Sequence, residues 1–467
     1  MNFTSITFAG FFLVTLALYW LARRQAWQNS ILLVASYIFY GWLNPWYGVL
    51  LGLSTTADFF IALGISRYRG YARAFLTLSL ILNLGVLAFF KYYNFFNVGL
   101  STQLAQIGIH TDVILVSILL PAGLSFYTLR KLAYILDVSR GALQPVENFV
   151  DFALYVSFFP QIVAGPIERI QKLMPQIQAP RIWKQYFFSA AWPLLVMGLF
   201  KKIVIADTMK SIVDRIFSIQ EPSKALVLVA ALGFTLQILA DFSGYTDMAR
   251  GIALLFGFET SENFNHPYLA LTPSDFWNRW HITLSNFLRD YIFFPLRRAL
   301  LKKRTLPAWL VQSAPPLVTM FVSGLWHGAG WTYLVWGIYY GLLIVIYQSS
   351  GIQFDWKQNN KLKLLVAWLV MFSLIVFGWF LFRAPSMDWA GRVLFQAAWL
   401  TGSQDLIIGL VALSMLAVYS FPLILKLLLD RFSKPDSWWQ AAYFALLTIA
   451  VIVYTNSSNS DFIYFQF

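Results

Sequence analysis

The sequence predicts an all-α polytopic membrane protein with roughly 10–13 transmembrane helices. Three observations carry that reading: the composition, the recurrence of apolar runs of spanning length, and the placement of basic residues between them. Of 467 residues, 59% are hydrophobic and 12% are charged, against about 25% charge in soluble domains. A chain with so little polar surface has the bilayer as its natural solvent.

Apolar runs fall at about 6–22, 27–43, 46–65, 74–92, 113–137, 187–206, 225–248, 308–325, 331–348, 362–382, 405–428 and 438–454. Each approaches the twenty or so residues a helix needs to cross about 30 Å of hydrocarbon. Two further stretches, "FVDFALYVSFFPQIVAGP" (149–166) and "FWNRWHITLSNFLRDYIFFPL" (276–296), are apolar but interrupted. They are expected to be re-entrant or buried amphipathic helices, shielded from lipid by protein. The first run ends at Arg23 and Arg24 without a small-residue cleavage site, so it is expected to remain as a first span.

The formal net charge of +13 follows the same logic. Basic residues cluster at Arg23/Arg24, at Arg67/Arg69/Arg73, at Arg297/Arg298 with Lys302/Lys303/Arg304, at Lys357/Lys361/Lys363 and at Lys426/Arg431/Lys434. Loops 93–112 and 456–467 are nearly free of them. Alternate crossings put every basic cluster in the cytoplasm and both termini outside, as the positive-inside rule requires. Loop charge of this kind accounts for the excess without nucleic-acid binding. The absence of cysteine excludes disulfides, thiol nucleophiles and thiolate metal sites. No internal repeat or soluble domain is visible. The expectation is one membrane-embedded domain over 1–467, with a motif-bearing core at about 113–348.

Ionisable groups in such segments cost about 2.5–3.5 kcal/mol each on insertion scales, so they mark places facing protein or water. Arg130, Lys131 and Asp137 lie in "LSFYTLRKLAYILDV", and Asp241, Asp247 and Arg250 in "ADFSGYTDMARG". Asp247 and Arg250 stand at i,i+3. Both groups read either as ion pairs that fix helix packing or as the lining of a hydrophilic cavity. In "DFWNRWHITLSNFLRD" helical spacing puts Asn278, His281, Ser285 and Arg289 on one polar stripe, with Asp275 and Arg279 paired at i,i+4. Such a helix is either buried, with its stripe lining a polar space, or interfacial, with its tryptophans at headgroup level.

His327, in "SGLWHGAG", follows the basic cluster at Arg304 by about twenty residues, roughly 30 Å of helix. It is either an aromatic-belt residue anchored by Trp326 and Trp331 or a buried imidazole. Gly324, Gly328 and Gly330 permit close helix approach there. Burial favours neutral imidazole, the usual general base near neutral pH. Two such histidines on different segments suit removal of a proton from a hydroxyl nucleophile. H-E-x-x-H, G-x-S-x-G and phosphate-loop patterns are all absent. No ligand spacing argues for a metal.

"DFWNRWHITLSNFLRDY" followed by "GLWHGAGWTYLVWG" resembles the membrane-bound O-acyltransferase superfamily, in its bacterial polysaccharide branch. "LPAGLSFYTLRKLAYILDV", "FFPQIVAGPIER", "DFSGYTDMARGIALLFGF", "ENFNHPYLA" and the terminal "FIYFQF" extend the resemblance along nearly the whole chain. It implies helices around a central funnel or tunnel in a bacterial cytoplasmic (inner) membrane. His327 would be the principal catalytic residue and His281 the second, at a position often occupied by asparagine in other branches. Asn278, Ser285, Arg289 and Trp326 would line the tunnel where the donor binds.

The implied activity is transfer of an acyl group, most simply acetyl from acetyl-coenzyme A, toward a glycan acceptor, with an extracytoplasmic acetyltransferase partner completing the transfer. No permanently bound cofactor and no nucleic acid are implied. Arg297, Arg298 and Lys302–Arg304 serve either as topology determinants or as attractors of a polyanionic donor. Alginate-type members continue past the R-D-Y with a glycine-rich turn, whereas this chain reads "RDYIFFPLRRALLKKR". That leaves alginate, peptidoglycan and other exported glycans open. D-alanyl transfer to teichoic acid is the alternative enzyme activity, and glycan transport the alternative of another class. Transporters commonly show paired broken helices in two halves, and no such duplication is visible.

Overall fold

The computed structural model describes residues 1–108, 121–303, 305–352, 354–357, 360–434 and 437–455. Among them regular structure is helical, apart from one isolated antiparallel bridge between Phe264 and Trp280. Seven described helices are long and apolar enough to cross a membrane: Pro45–Arg67, Arg69–Tyr93, Gln185–Phe217, Lys224–Leu255, Ala308–His327, Lys361–Arg383 and Ser403–Phe432. Ile6–Leu21 and Trp438–Tyr454 are shorter apolar helices. The larger number of runs read from sequence includes segments that fold as shorter helices, such as Leu124–Ser139. Residues 113–120, Arg304 and the "FIYFQF" motif lie outside the described residues.

The chain divides into two compact units. The first comprises Met1–Trp192 with Ala249–Ser261. Its interior is built on Leu124–Ser139, a helix buried over most of its length. Lys131 forms an ion pair with Asp58 at 3.2 Å, and Asp58 also accepts from Ser79 Oγ at 2.6 Å and Asn83 Nδ2 at 2.8 Å. Arg130 donates to the carbonyls of Tyr155 at 3.0 Å and Pro166 at 3.3 Å. Gln171 donates to Asp137 at 2.8 Å. Arg130 and Lys131 are thus paired within the protein, while Lys131 and Asp58 also line a cavity of about 280 Å³, so ion pairing and cavity lining coincide in this segment. The interrupted stretch 149–166 forms two short buried helices, Phe149–Ser157 and Phe159–Ile162.

The second unit comprises Pro193–Met248 with Glu262–Phe467. Here a π-helical turn, Phe200–Ala206, carries two consecutive lysines inside an apolar span. Lys202 bridges Asp207 at 2.9 Å and Asp241 at 2.8 Å, and Lys201 reaches Asp247 at 2.7 Å. Asp247 thus has an ion-pair partner from a neighbouring helix, which its i,i+3 spacing to Arg250 did not disclose. Ala308–His327 runs as one helix through Pro315 and Pro316 and packs against Trp331–Ser349. The contact is backbone to backbone. A β-carbon at Gly324 would collide with the Tyr333 carbonyl, and one at Gly337 with the Met320 carbonyl. Gly328 and Gly330 are extended and join the two helices.

Candidate functional site

The site lies within the second unit. His327 is the last residue of Ala308–His327, and only 5% of it is exposed. Its ring is boxed by Trp326, Trp336 and Phe382, with centroids at 4.9, 5.0 and 5.3 Å. The aromatic-belt alternative puts this residue at an exposed helix end, so burial in a ring of aromatics decides against it.

His281 is fully buried. The structure corrects the stripe expected on this segment. Residues 275–290 do not form one helix but two short ones, Pro273–Arg279 and Ile282–Leu288, followed by a π turn at Arg289–Phe293. The break is at His281 itself, which has φ 42° and ψ 53°, the left-handed region. Residues 263–265 impose the turn. Asn265 N–H donates to Arg279 O at 2.9 Å, Ile282 N–H to Asn263 O at 3.0 Å, and Thr283 Oγ1 to Asn263 Oδ1 at 2.7 Å. Helical periodicity within one segment carries no sign of this clamp, although the "ENFN" motif supplies it. The i,i+4 pair of Asp275 and Arg279 forms as expected, at 2.7 Å.

The turn aims His281 at Phe242, 4.7 Å between centroids, and at Trp326, 6.0 Å away. Trp326 therefore touches both imidazoles. Burial pushes the pKa of His281, which lies outside the seven spanning helices, down to about 3. The cause is the cost of placing an imidazolium out of water.

Asn278, Ser285 and Arg289 no longer share a helix face, yet all three line one cavity of about 190 Å³. Its other walls include Trp277, Met320 and Ser323. Ser323 stands one helical turn before His327, and Trp277 packs against Trp336 at 5.6 Å. Trp326 and the two histidines are not among its lining residues. A larger cavity, about 930 Å³, shares Ser274, Phe293 and Gln348 with it. Arg297 and Lys303 lie in its wall. A cationic chamber thus adjoins a small chamber that ends one aromatic layer from His327.

Sequence reasoning missed Ser323, Trp277 and Asn263 as members of the site. Ser323 and Trp277 are ordinary residues of apolar segments, and only the fold turns them toward a cavity.

Residues 70–384 match the membrane-bound O-acyltransferase family. The chain is 37% identical over 397 residues to a probable alginate O-acetylase AlgI of Pseudomonas aeruginosa, covering 84% of this chain and 74% of that protein. It is 33% identical over 423 residues to a peptidoglycan O-acetyltransferase of Helicobacter pylori, covering 84% and 77%. Over 267 residues it is 26% identical to a teichoic acid D-alanyltransferase of Bacillus subtilis, covering 56% and 68%.

Proposed function

The chain belongs to the membrane-bound O-acyltransferase family, and from that premise we propose that it O-acetylates an exported glycan, with His327 as general base. The observation that carries this reading is the pair of buried imidazoles on separate segments, sharing Trp326, one aromatic layer from a cavity that adjoins a cationic chamber. Relatives named for acetyl transfer match more of the chain, at higher identity, than those named for D-alanyl transfer. That ordering favours acetyl over alanyl.

In the proposed reaction neutral His327 takes the proton of an acceptor hydroxyl. The oxygen forms a bond to the thioester carbonyl carbon. The tetrahedral intermediate collapses, the C–S bond breaks, and the thiolate recovers the proton from the imidazolium. His281, held neutral by burial, orients the partners. Acetyl-coenzyme A is the proposed donor, entering from the cytoplasm with its phosphates near Arg297 and Lys303. The acceptor hydroxyl belongs either to the glycan or to an extracytoplasmic acetyltransferase partner that passes the acetyl on. The proposed setting is the bacterial cytoplasmic membrane.

The experiment is the O-acetyl content of exported glycan in cells carrying His327→Ala at unchanged membrane levels. Acetylation is expected to fall by about 10²–10⁴-fold, the range of a lost general base. Unaltered acetylation overturns the assignment. Loss of glycan export with acetylation per chain intact would instead indicate transport.

A further inference from the structure

We infer that Trp277 Nε1–H and Ser323 Oγ–H form the binding site for the thioester carbonyl oxygen and stabilise the negative charge it gains during acyl transfer. The inference rests on the acyl-transfer reading above and names two residues to which that reading gives no role.

Both groups are buried hydrogen-bond donors without a partner among the described residues. A buried donor left unmade costs about 1–3 kcal/mol, so native chains rarely keep one without use. Ser323 is 1% exposed. Buried serine and threonine hydroxyls in helices ordinarily close on their own backbone four residues earlier. Thr319, one turn before Ser323 on the same helix, does so, donating to Pro315 O at 2.7 Å. Thr235 does the same, to Ala231 O at 2.7 Å. Ser323 does not. The residue instead lines the cavity that Trp277, Asn278 and Ser285 also line. Trp277 is held on that wall by edge contacts to Trp336 at 5.6 Å and Tyr340 at 5.1 Å, which fix its ring while leaving the indole N–H unused.

Position gives the two donors their use. Ser323 shares a helix face with His327 at i,i+4. Trp277 lies one aromatic layer from His327, through Trp336. The two donor residues therefore line one small cavity from two helices, one helical turn and one aromatic ring away from His327. As the acceptor oxygen bonds to the carbonyl carbon, the carbonyl electron pair moves onto oxygen. Two preorganised donors stabilise that charge without reorganising. When the C–S bond breaks, the pair returns to the carbonyl and the thiolate leaves with the proton that His327 held.

The test uses full-length protein in detergent with acetyl-coenzyme A as donor, and the variants Trp277→Phe, Ser323→Ala and Ser323→Thr. Trp277→Phe keeps an aromatic ring against Trp336 and Tyr340 but removes the N–H. The expected result is a fall of about 10²–10³-fold in kcat for Trp277→Phe and for Ser323→Ala. KM is expected to stay within a few-fold, and Ser323→Thr to restore much of the rate. Two donor analogues separate chemistry from packing. A trifluoromethyl ketone analogue, which presents an oxyanion-like hydrate, is expected to bind at least tenfold more weakly to Trp277→Phe and Ser323→Ala. A thioether analogue, which has no carbonyl, is expected to bind unchanged. Rates within twofold of wild type overturn the inference, as does equal loss of both analogues. An active His327→Ala would overturn the base assignment on its own, whatever the two donor variants do.

Discussion

At the scale of single residues, His281 combines two unusual properties: a left-handed backbone and complete burial. Outside glycine, that conformation favours asparagine, aspartate and histidine and excludes β-branched side chains. His281→Asn is therefore expected to fold with near wild-type thermal stability while losing the imidazole. His281→Val is expected to misfold or accumulate poorly, as fluorescence-detected size exclusion would register. The buried ring also makes a pH prediction. Its pKa is pushed down to about 3, whereas the unfolded histidine titrates near 6.5. As pH falls below about 6.5 the unfolded chain binds the proton first. This contribution to stability is complete above that pH and is lost toward pH 3, at about 1.4 kcal/mol per pH unit. Between pH 7 and pH 5 the thermal midpoint of wild type is expected to drop more than that of His281→Asn. Both histidines were legible in sequence as polar groups in apolar segments. The left-handed turn was not, because Asn263 and Asn265 impose it from outside the segment.

At the scale of elements, the 275–290 segment shows where periodicity misleads. Residues at i, i+3, i+7 and i+11 match a helix whether or not the helix is continuous. Asn278, Ser285 and Arg289 reach a common cavity because the break at His281 redirects the second half. The glycine crossing makes a sharper claim. Gly324→Val places side-chain atoms where the Tyr333 carbonyl stands. Overpacking ordinarily costs about 1–3 kcal/mol, and here backbone must move. A fall of several degrees in the detergent thermal midpoint is expected, against little change for Gly409→Ala, which has open space around it. The lysine pair offers a second contrast. Lys202→Met strands Asp207 and Asp241, a loss of about 3–5 kcal/mol for a broken buried pair. Lys201→Met frees Asp247 at a more exposed site, 17% and 15% for the two partners, and is expected to cost clearly less. Thermal midpoints of the two variants check the order. The sequence carried Asp241 and Asp247 as candidate ion-pair members, but their lysines lie some forty residues away, a distance at which no spacing rule operates.

At the scale of the whole chain, composition sufficed for the class: a multi-pass helical membrane protein follows from charge scarcity and spanning runs. Orientation is a separate matter, set by where lysine and arginine fall. The trace with every basic cluster inside makes a direct prediction. A periplasm-active reporter fused after residue 467 is expected to be active, and the same reporter placed in the Lys302–Arg304 loop silent. The reverse pattern would invert the assignment of donor and acceptor faces. Division into two compact units was not legible, because both are built of similar apolar helices and the first takes residues from two separate stretches.

The glycine-tight crossing of Ala308–His327 and Trp331–Ser349 also bears on how the protein is made. Ala308–His327 is the least apolar of the seven spans. A segment of marginal hydropathy partitions poorly from the translocon into lipid alone. Joined to Trp331–Ser349 by the short Gly328–Gly330 link and fitted to it backbone to backbone, it gains from that helix packing that lipid tails do not supply. The two helices are suited to leave the translocon as one preassembled hairpin, so the aromatic box around His327 begins to close during synthesis with Trp326 and Trp336 already in place.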